Sequence, residues 1–169
     1  MQQMSFETIF LLLIAFTGAI YDWKSRRVPN WLTFGGFGII LLFNTFHLGI
    51  DGLISSLLGL LTGLTLLMIP YVTGGMGAGD VKLLGTIGAI VGYKAVILIF
   101  FYTAICGLIM GIIWLVFNPS RLKFLITTGQ ILPTVDKKQK IPYAIAILMG
   151  TILYIMFDIS KFFNLFIWQ

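Results

Sequence analysis

The stretch Gly74-Gly75-Met76-Gly77-Ala78-Gly79-Asp80-Val81-Lys82 lies between two long apolar runs, and its reading decides how the rest of the chain is arranged. Four of the six residues before Asp80 are glycine, which frees the backbone to take positive φ and lets another chain come close. An ionisable group at the edge of hydrocarbon is costly, so a loop that ends in one is a candidate functional site. The competing reading is a flexible connector whose Asp80 merely caps the next helix. A second acid at the same membrane face would separate the two.

Composition sets the loop in a membrane. Of the 169 residues, 59% are hydrophobic and 10% charged, with a mean hydropathy of +1.02, whereas a soluble domain carries about 25% charged residues. These values describe an all-α polytopic membrane protein with one membrane-embedded domain, residues 1–169. The single cysteine, Cys106, excludes an internal disulfide and a cysteine metal cluster, and its apolar surroundings make it a packing residue. The net charge of +5 does not point to nucleic acid, because the basic residues fall between apolar spans, where they set topology. The first twenty residues have neither a basic n-region nor a small-residue cleavage site and read as a retained helix.

Six apolar segments follow in order. The first covers about Phe6 to Tyr21 and leads into a polar turn, Asp22-Trp23-Lys24-Ser25-Arg26-Arg27-Val28-Pro29-Asn30, where Pro29 bars helical geometry at Val28. The second runs from about Trp31 to Phe46, and a short loop with His47 and Asp51 separates it from the third, Leu53 to Val72. The fourth, Asp80 to Tyr93, is too short to cross a full bilayer at the helical rise. The fifth spans Ala95 to Phe117 and the sixth about Ile141 to Phe157, with a basic connection, Asn118 to Lys140, between them. The aromatic tail, Asp158 to Gln169, suits a segment lying in the interface. The expected architecture is a bundle of about six transmembrane helices with the glycine loop before the fourth.

Nine of the eleven basic residues fall on one side of this plan, with only Lys94 and Lys161 on the other. The positive-inside rule then places the nine in the cytoplasm and both termini outside. Asp22 and Asp80 therefore emerge on one face. Two carboxylates in a shared site cannot both ionise cheaply, so one keeps a proton while the other takes one from water. Such a pair can activate water against a peptide carbonyl and protonate the leaving amide, without a metal, cofactor or covalent intermediate. The chain carries no HExxH motif, cysteine–histidine pair or nucleophile-elbow serine. The glycine loop also lacks the spacing of a P-loop or a dinucleotide fold. Lys82 serves either to tune Asp80 or, the favoured reading, to anchor the helix start at the headgroups.

Gly77-Ala78-Gly79-Asp80 matches the GxGD signature of intramembrane aspartic proteases. With Tyr21 to Asn30 after the first helix, Gly77 to Lys82 after the third, and Lys140-Ile141-Pro142-Tyr143 opening the last, the chain resembles the type IV prepilin peptidases. It is most similar to their short members, which include Tad-pilus prepilin peptidases and archaeal preflagellin peptidases. The resemblance covers essentially the whole chain. It implies that Asp22 and Asp80 are the catalytic pair and that Pro29, Asn30, Gly77, Gly79 and Lys82 form the surrounding turn and loop. It further implies a prepilin-like substrate with a short basic leader and a hydrophobic helix, cut on the cytoplasmic side. Long members carry an extra region near the N-terminus and methylate the new pilin terminus. Phe6 to Asp22 leaves no room for it, so the expectation is peptidase activity without N-methyltransferase activity.

Other features have plainer readings. Gly59/Gly63, Gly88/Gly92 and Gly107/Gly111 have GxxxG spacing, which favours packing within the bundle over a homo-oligomer. His47 has no carboxylate or cysteine beside it in sequence, and Trp23 and Trp31 suit an aromatic belt. The alternative function is a small transporter using the same two acids as a proton or cation path, although no inverted repeat is visible. Topology gives a direct test. After replacement of Cys106, a cysteine near Ser25 or Gln139 should react with a membrane-impermeant thiol reagent only once the cytoplasmic face is opened, and labelling in intact cells would overturn the orientation.

Overall fold

The computed structural model describes residues 6–117 and 143–157, which form six helices and no strand. These are α1 (Phe6–Ser25), α2 (Asn30–Leu66), α3 (Met68–Val72), α4 (Ala78–Val91), α5 (Tyr93–Val116) and α6 (Tyr143–Phe157). The basic connection and the aromatic tail expected from the sequence lie outside the described residues. α1, α2 and α5 are long and apolar enough to cross a membrane, and α6 is a shorter apolar helix. Large side chains such as Leu42, Leu61, Leu108 and Ile112 are more than half exposed, as lipid-facing residues are. The chain is an all-α polytopic membrane protein.

α2 is two spans. A straight helix of its 37 residues would measure about 55 Å, nearly twice the roughly 30 Å hydrocarbon core. At Gly49 the backbone takes φ 64 and ψ −141, a conformation reserved for glycine, and the chain reverses there. Reversal is proved by Asn44 Nδ2, which donates to Ser56 Oγ at 2.8 Å, although twelve helical residues would separate them by about 18 Å along an axis. The two arms, 30–48 and 50–66, are thus the expected second and third spans, joined by one residue rather than a loop.

α4 is the axis. Past Lys82 its sequence is apolar on every side but for Thr86, and such a helix is stable only when surrounded. Val81, Leu83, Leu84, Ile87, Ala89 and Ile90 are all buried, against α1, both arms of α2, α5 and α6. Close approach depends on small residues. A Cβ built on Gly59 would strike the carbonyl oxygen of Gly88, and one on Gly88 would strike that of Gly59, so arm 50–66 and α4 meet backbone to backbone. Gly18 of α1 similarly admits Leu83, and Gly150 of α6 admits Thr103 of α5. The GxxxG residues Gly59, Gly63 and Gly88 therefore serve packing within the chain. Gly111 is different, with open space where its Cβ would lie.

Two boundaries differ from expectation. α1 continues through Asp22 to Ser25, so the first acid sits on a helix and not in a turn. Its last turn is supported by Ser25 Oγ donating to the Tyr21 carbonyl (2.8 Å) and by Lys24 near the negative end of the helix dipole. The helix stops where Arg26 takes φ 54, the single positive φ outside glycine among the described residues. At the other boundary, the third span ends at Leu66 and a separate turn, α3, carries Pro70. Gly74, with φ 78, then closes α3 by donating its N–H to the Tyr71 carbonyl at 3.0 Å.

The central contact is testable. Gly59→Val should destabilise the protein by about 3 kcal/mol, the upper range for overpacking, because backbone cannot give way as a side chain can. Gly111→Val should be within about 0.5 kcal/mol of the parent. Melting temperatures of the two variants in one detergent provide the comparison, and equal values would contradict the packing described.

Candidate active site

Asp22 and Asp80 are both buried, at 6% and 7% exposure, in a bundle that offers few polar partners. Each is held by a backbone amide. The Oδ2 of Asp22 accepts a hydrogen bond from the N–H of Ala144, in the first turn of α6, at 3.2 Å. The Oδ2 of Asp80 accepts from the N–H of Gly77 at 3.1 Å, while the Asp80 N–H donates to the Gly77 carbonyl at 3.2 Å. This is half of a capping box, since Gly77 has no side chain with which to return the bond. Asp80 does cap α4, as the plainer reading of the loop held. Capping and chemistry are compatible, because a carboxyl has two oxygens.

The two acids come from different helices and each relates to one of two adjacent residues at the start of α6. Asp22 bonds Ala144, and Asp80 lies within electrostatic reach of the Tyr143 hydroxyl. α1 and α4 are themselves in contact one turn deeper, where Gly18 faces Leu83. Asp22 and Asp80 each lie one turn from that contact, toward the end of the bundle that holds the 26–29 turn. Tyr143 also covers Gly107 of α5, where a Cβ would come within 2.9 Å of the ring. α6 thus closes the site from a third side. Tyr143 stood in the sequence only as part of a motif, and Ala144 could not have been selected, since a backbone N–H leaves no mark on residue type.

A cleft of about 590 Å³ opens at this end, and it gathers all five of the other sequence-derived site residues: Pro29, Asn30, Gly77, Gly79 and Lys82. Arg26 and Arg27 line it as well, so its charged walls are cationic. Lys82 Nζ donates to Asn30 Oδ1 at 3.0 Å and stands 5.2 Å from the centre of the Phe34 ring. Its ammonium therefore ties α4 to the start of α2, a role neither the tuning nor the headgroup reading described. Arg26 is the cation nearest in effect to Asp22.

The glycines of the loop need correcting. Positive φ was expected where the loop approaches the acid, but Gly77 is extended (φ −88, ψ 153) and Gly79 is helical. Within the loop, positive φ belongs to Gly74. The space above Gly79 is also taken, because its Cβ would lie 3.0 Å from both the N and the Cβ of Val28. Gly79 therefore admits the protein's own 26–29 turn. Gly77 remains exposed, and a Cβ there would make only ordinary contact with Asp80 Oδ2, at 3.4 Å. Among the described residues, His47 is exposed and packs its ring at a tilt against Phe43, with centroids 4.4 Å apart, far in sequence from either acid. Asp51 is likewise exposed, and Trp23 and Trp31 are 67% and 62% exposed.

Comparison with known proteins addresses the same stretch. A sequence model described as the type IV leader peptidase family matches residues 9–112, which include Asp22, the 26–29 turn and the whole glycine loop. The prepilin leader peptidase/N-methyltransferase of Bacillus subtilis (strain 168) is 32% identical over 113 residues, 66% of this chain and 40% of that protein. The chain thus spans about 40% of the length of the curated relative it matches. No solved structure matches it. With its matched region extending over more than half its length and containing both buried acids, the chain belongs to the type IV leader peptidase family.

Proposed function

We propose that this protein is a membrane aspartic endopeptidase that removes the short basic leader of prepilin-like precursors at the cytoplasmic face, with Asp22 and Asp80 as the catalytic pair. The observation that carries the reading is the burial of two acids, one on α1 and one on α4, each about one turn from the contact of Gly18 with Leu83 and each held by a backbone amide, beside an open cleft. In the reaction one carboxylate takes a proton from water, whose oxygen attacks the scissile carbonyl carbon. The other carboxyl protonates the amide nitrogen as the tetrahedral intermediate collapses, and the C–N bond breaks. The backbone donors at Ala144 and Gly77 each hold one carboxyl oxygen in place, which limits the orientations that its carboxyl can take. The proposal covers the peptidase step alone. Orientation rests on the distribution of basic residues, which puts both termini outside.

The transporter alternative finds less support. Among the described residues, the buried polar side chains other than these acids are hydroxyls and the amide of Asn44, so no further buried carboxylate extends a path through the bundle.

Asp22→Asn and Asp80→Asn should each lower cleavage of a candidate prepilin by about 10²- to 10⁴-fold, the range for loss of a positioned acid or base. Both should keep the parent fold, because the asparagine oxygen can still accept from Ala144 or Gly77. Near-parental turnover in either variant would end the dyad assignment.

The two loop glycines should part company. Gly79→Ala must displace the Val28 backbone and should cost about 1–3 kcal/mol of stability, with activity falling alongside. Gly77→Val can be accommodated by its backbone and should leave the melting temperature nearly unchanged while reducing turnover, if extended substrate passes over that exposed position. Turnover and melting temperature measured on the same preparations decide the matter, and full activity in Gly77→Val would remove the substrate path from Gly77.

A further inference from the structure

Lys82 belongs to two concavities. One is the cationic cleft just described, and the other is an apolar slot of about 240 Å³ on the flank of the bundle. The two arms of α2, with α4, wall the slot with pairs spaced i, i+4: Thr33 and Phe37, Leu60 and Leu64, Lys82 and Thr86. The polar atom in its floor is already satisfied. Thr86 Oγ1 shares its hydrogen between the carbonyls of Lys82 (2.9 Å) and Thr33 (3.1 Å), so it makes no demand on what fills the slot. Leu60 and Leu64 lie on Gly85, which keeps the slot open beside α4.

Depth gives the slot its meaning. Exposed Trp23 and Trp31 mark the headgroup level at this end of the bundle, the position such rings prefer. Lys82, Arg27 and Asn30 lie at that level, and the slot runs from Lys82 one turn toward Thr86, into hydrocarbon. Only one of the three ammonium hydrogens of Lys82 is committed to Asn30. The charged side chains lining the cleft are Arg26, Arg27 and Lys82, with no acid among them. A cation at the interface directly above an apolar slot complements a molecule with an anionic head and a hydrocarbon tail.

The geometry points to a bound anionic phospholipid, its phosphate on Lys82 and Arg27 and one acyl chain in the slot lined by Phe37, Leu60, Leu64 and Thr86. This assignment stands without the peptidase reading. If that reading also holds, the bound phosphate removes the repulsion a basic leader would meet in the cleft. Recognition requires both parts, since the headgroup selects charge while the chain supplies apolar burial.

The test uses the full chain in detergent, with lipid retention followed by native mass spectrometry and by melting temperature. Phosphatidylglycerol should be retained and should raise the melting temperature, with phosphatidylcholine binding about 25-fold weaker, since each of the two interfacial cations confers about fivefold on an anionic lipid. Glycerol phosphate alone should do neither. Lys82→Gln should cut the preference between the two lipids to about fivefold, the share left to Arg27, and Leu64→Phe, which fills the slot, should weaken both. Arg27→Gln, at an exposed position, should reduce the preference in part and serves where Lys82→Gln fails to fold. Equal retention of the two lipids overturns the proposal. So does stabilisation by glycerol phosphate equal to that by phosphatidylglycerol, which would make the cleft a free-anion site. Retention of a basic-then-apolar peptide that Leu64→Phe abolishes, with no lipid preference, would assign the slot to substrate instead.

Discussion

The bundle depends on the contact between Gly59 and Gly88, where two helices touch through their backbones. α4 has 14 residues, about 21 Å of helix, and cannot span hydrocarbon alone. It is stable because its neighbours enclose it, and they can enclose it only where no Cβ intervenes. With no water inside the bilayer to drive apolar side chains together, close van der Waals contact is the main attraction available between the helices. The same enclosure fixes the depth of Asp80, which is the third residue of α4 and must begin where the enclosure begins.

A second constraint follows from placing acids there. A buried carboxyl needs donors, and in this bundle they come from backbone amides at helix beginnings, Ala144 for Asp22 and Gly77 for Asp80. Backbone donors are short and rigid, so they fix a carboxyl more closely than a lysine or arginine chain would. Cations gather instead around the cleft and at the membrane surface. The site thus separates into a buried pair of acids and an exposed basic rim, with Arg26 between them, held in left-handed geometry at the end of α1.

Much of this was legible in the residues. Hydropathy marked the six spans, since hydrocarbon demands long apolar runs whatever the partners, and the charge distribution put Asp22 and Asp80 on one face. The motif Gly77 to Lys82 with the Tyr21 to Asn30 stretch identified the family. What escaped was set by tertiary contact. Asp22 read as part of a turn because the next eight residues are mostly polar, yet helix continues to Ser25, where local bonds suffice to carry it. Gly79 signalled close approach of another chain without naming which, and its neighbour is Val28 of the same protein. The Lys82–Asn30 bond joins residues 52 apart, and the reversal at Gly49 could not be told from an ordinary loop.

The bond from Ala144 to Asp22 spans 122 positions in the chain, and it imposes an order on biogenesis. When the ribosome has delivered α1, the donor that will hold its acid has not been synthesised. Until α6 inserts, Asp22 must rely on interfacial water, which its place in the last turn of α1 makes accessible. The two acids acquire their common wall only when the final described helix arrives. A chain ending before residue 143 therefore carries both acids but lacks the backbone donor that holds Asp22.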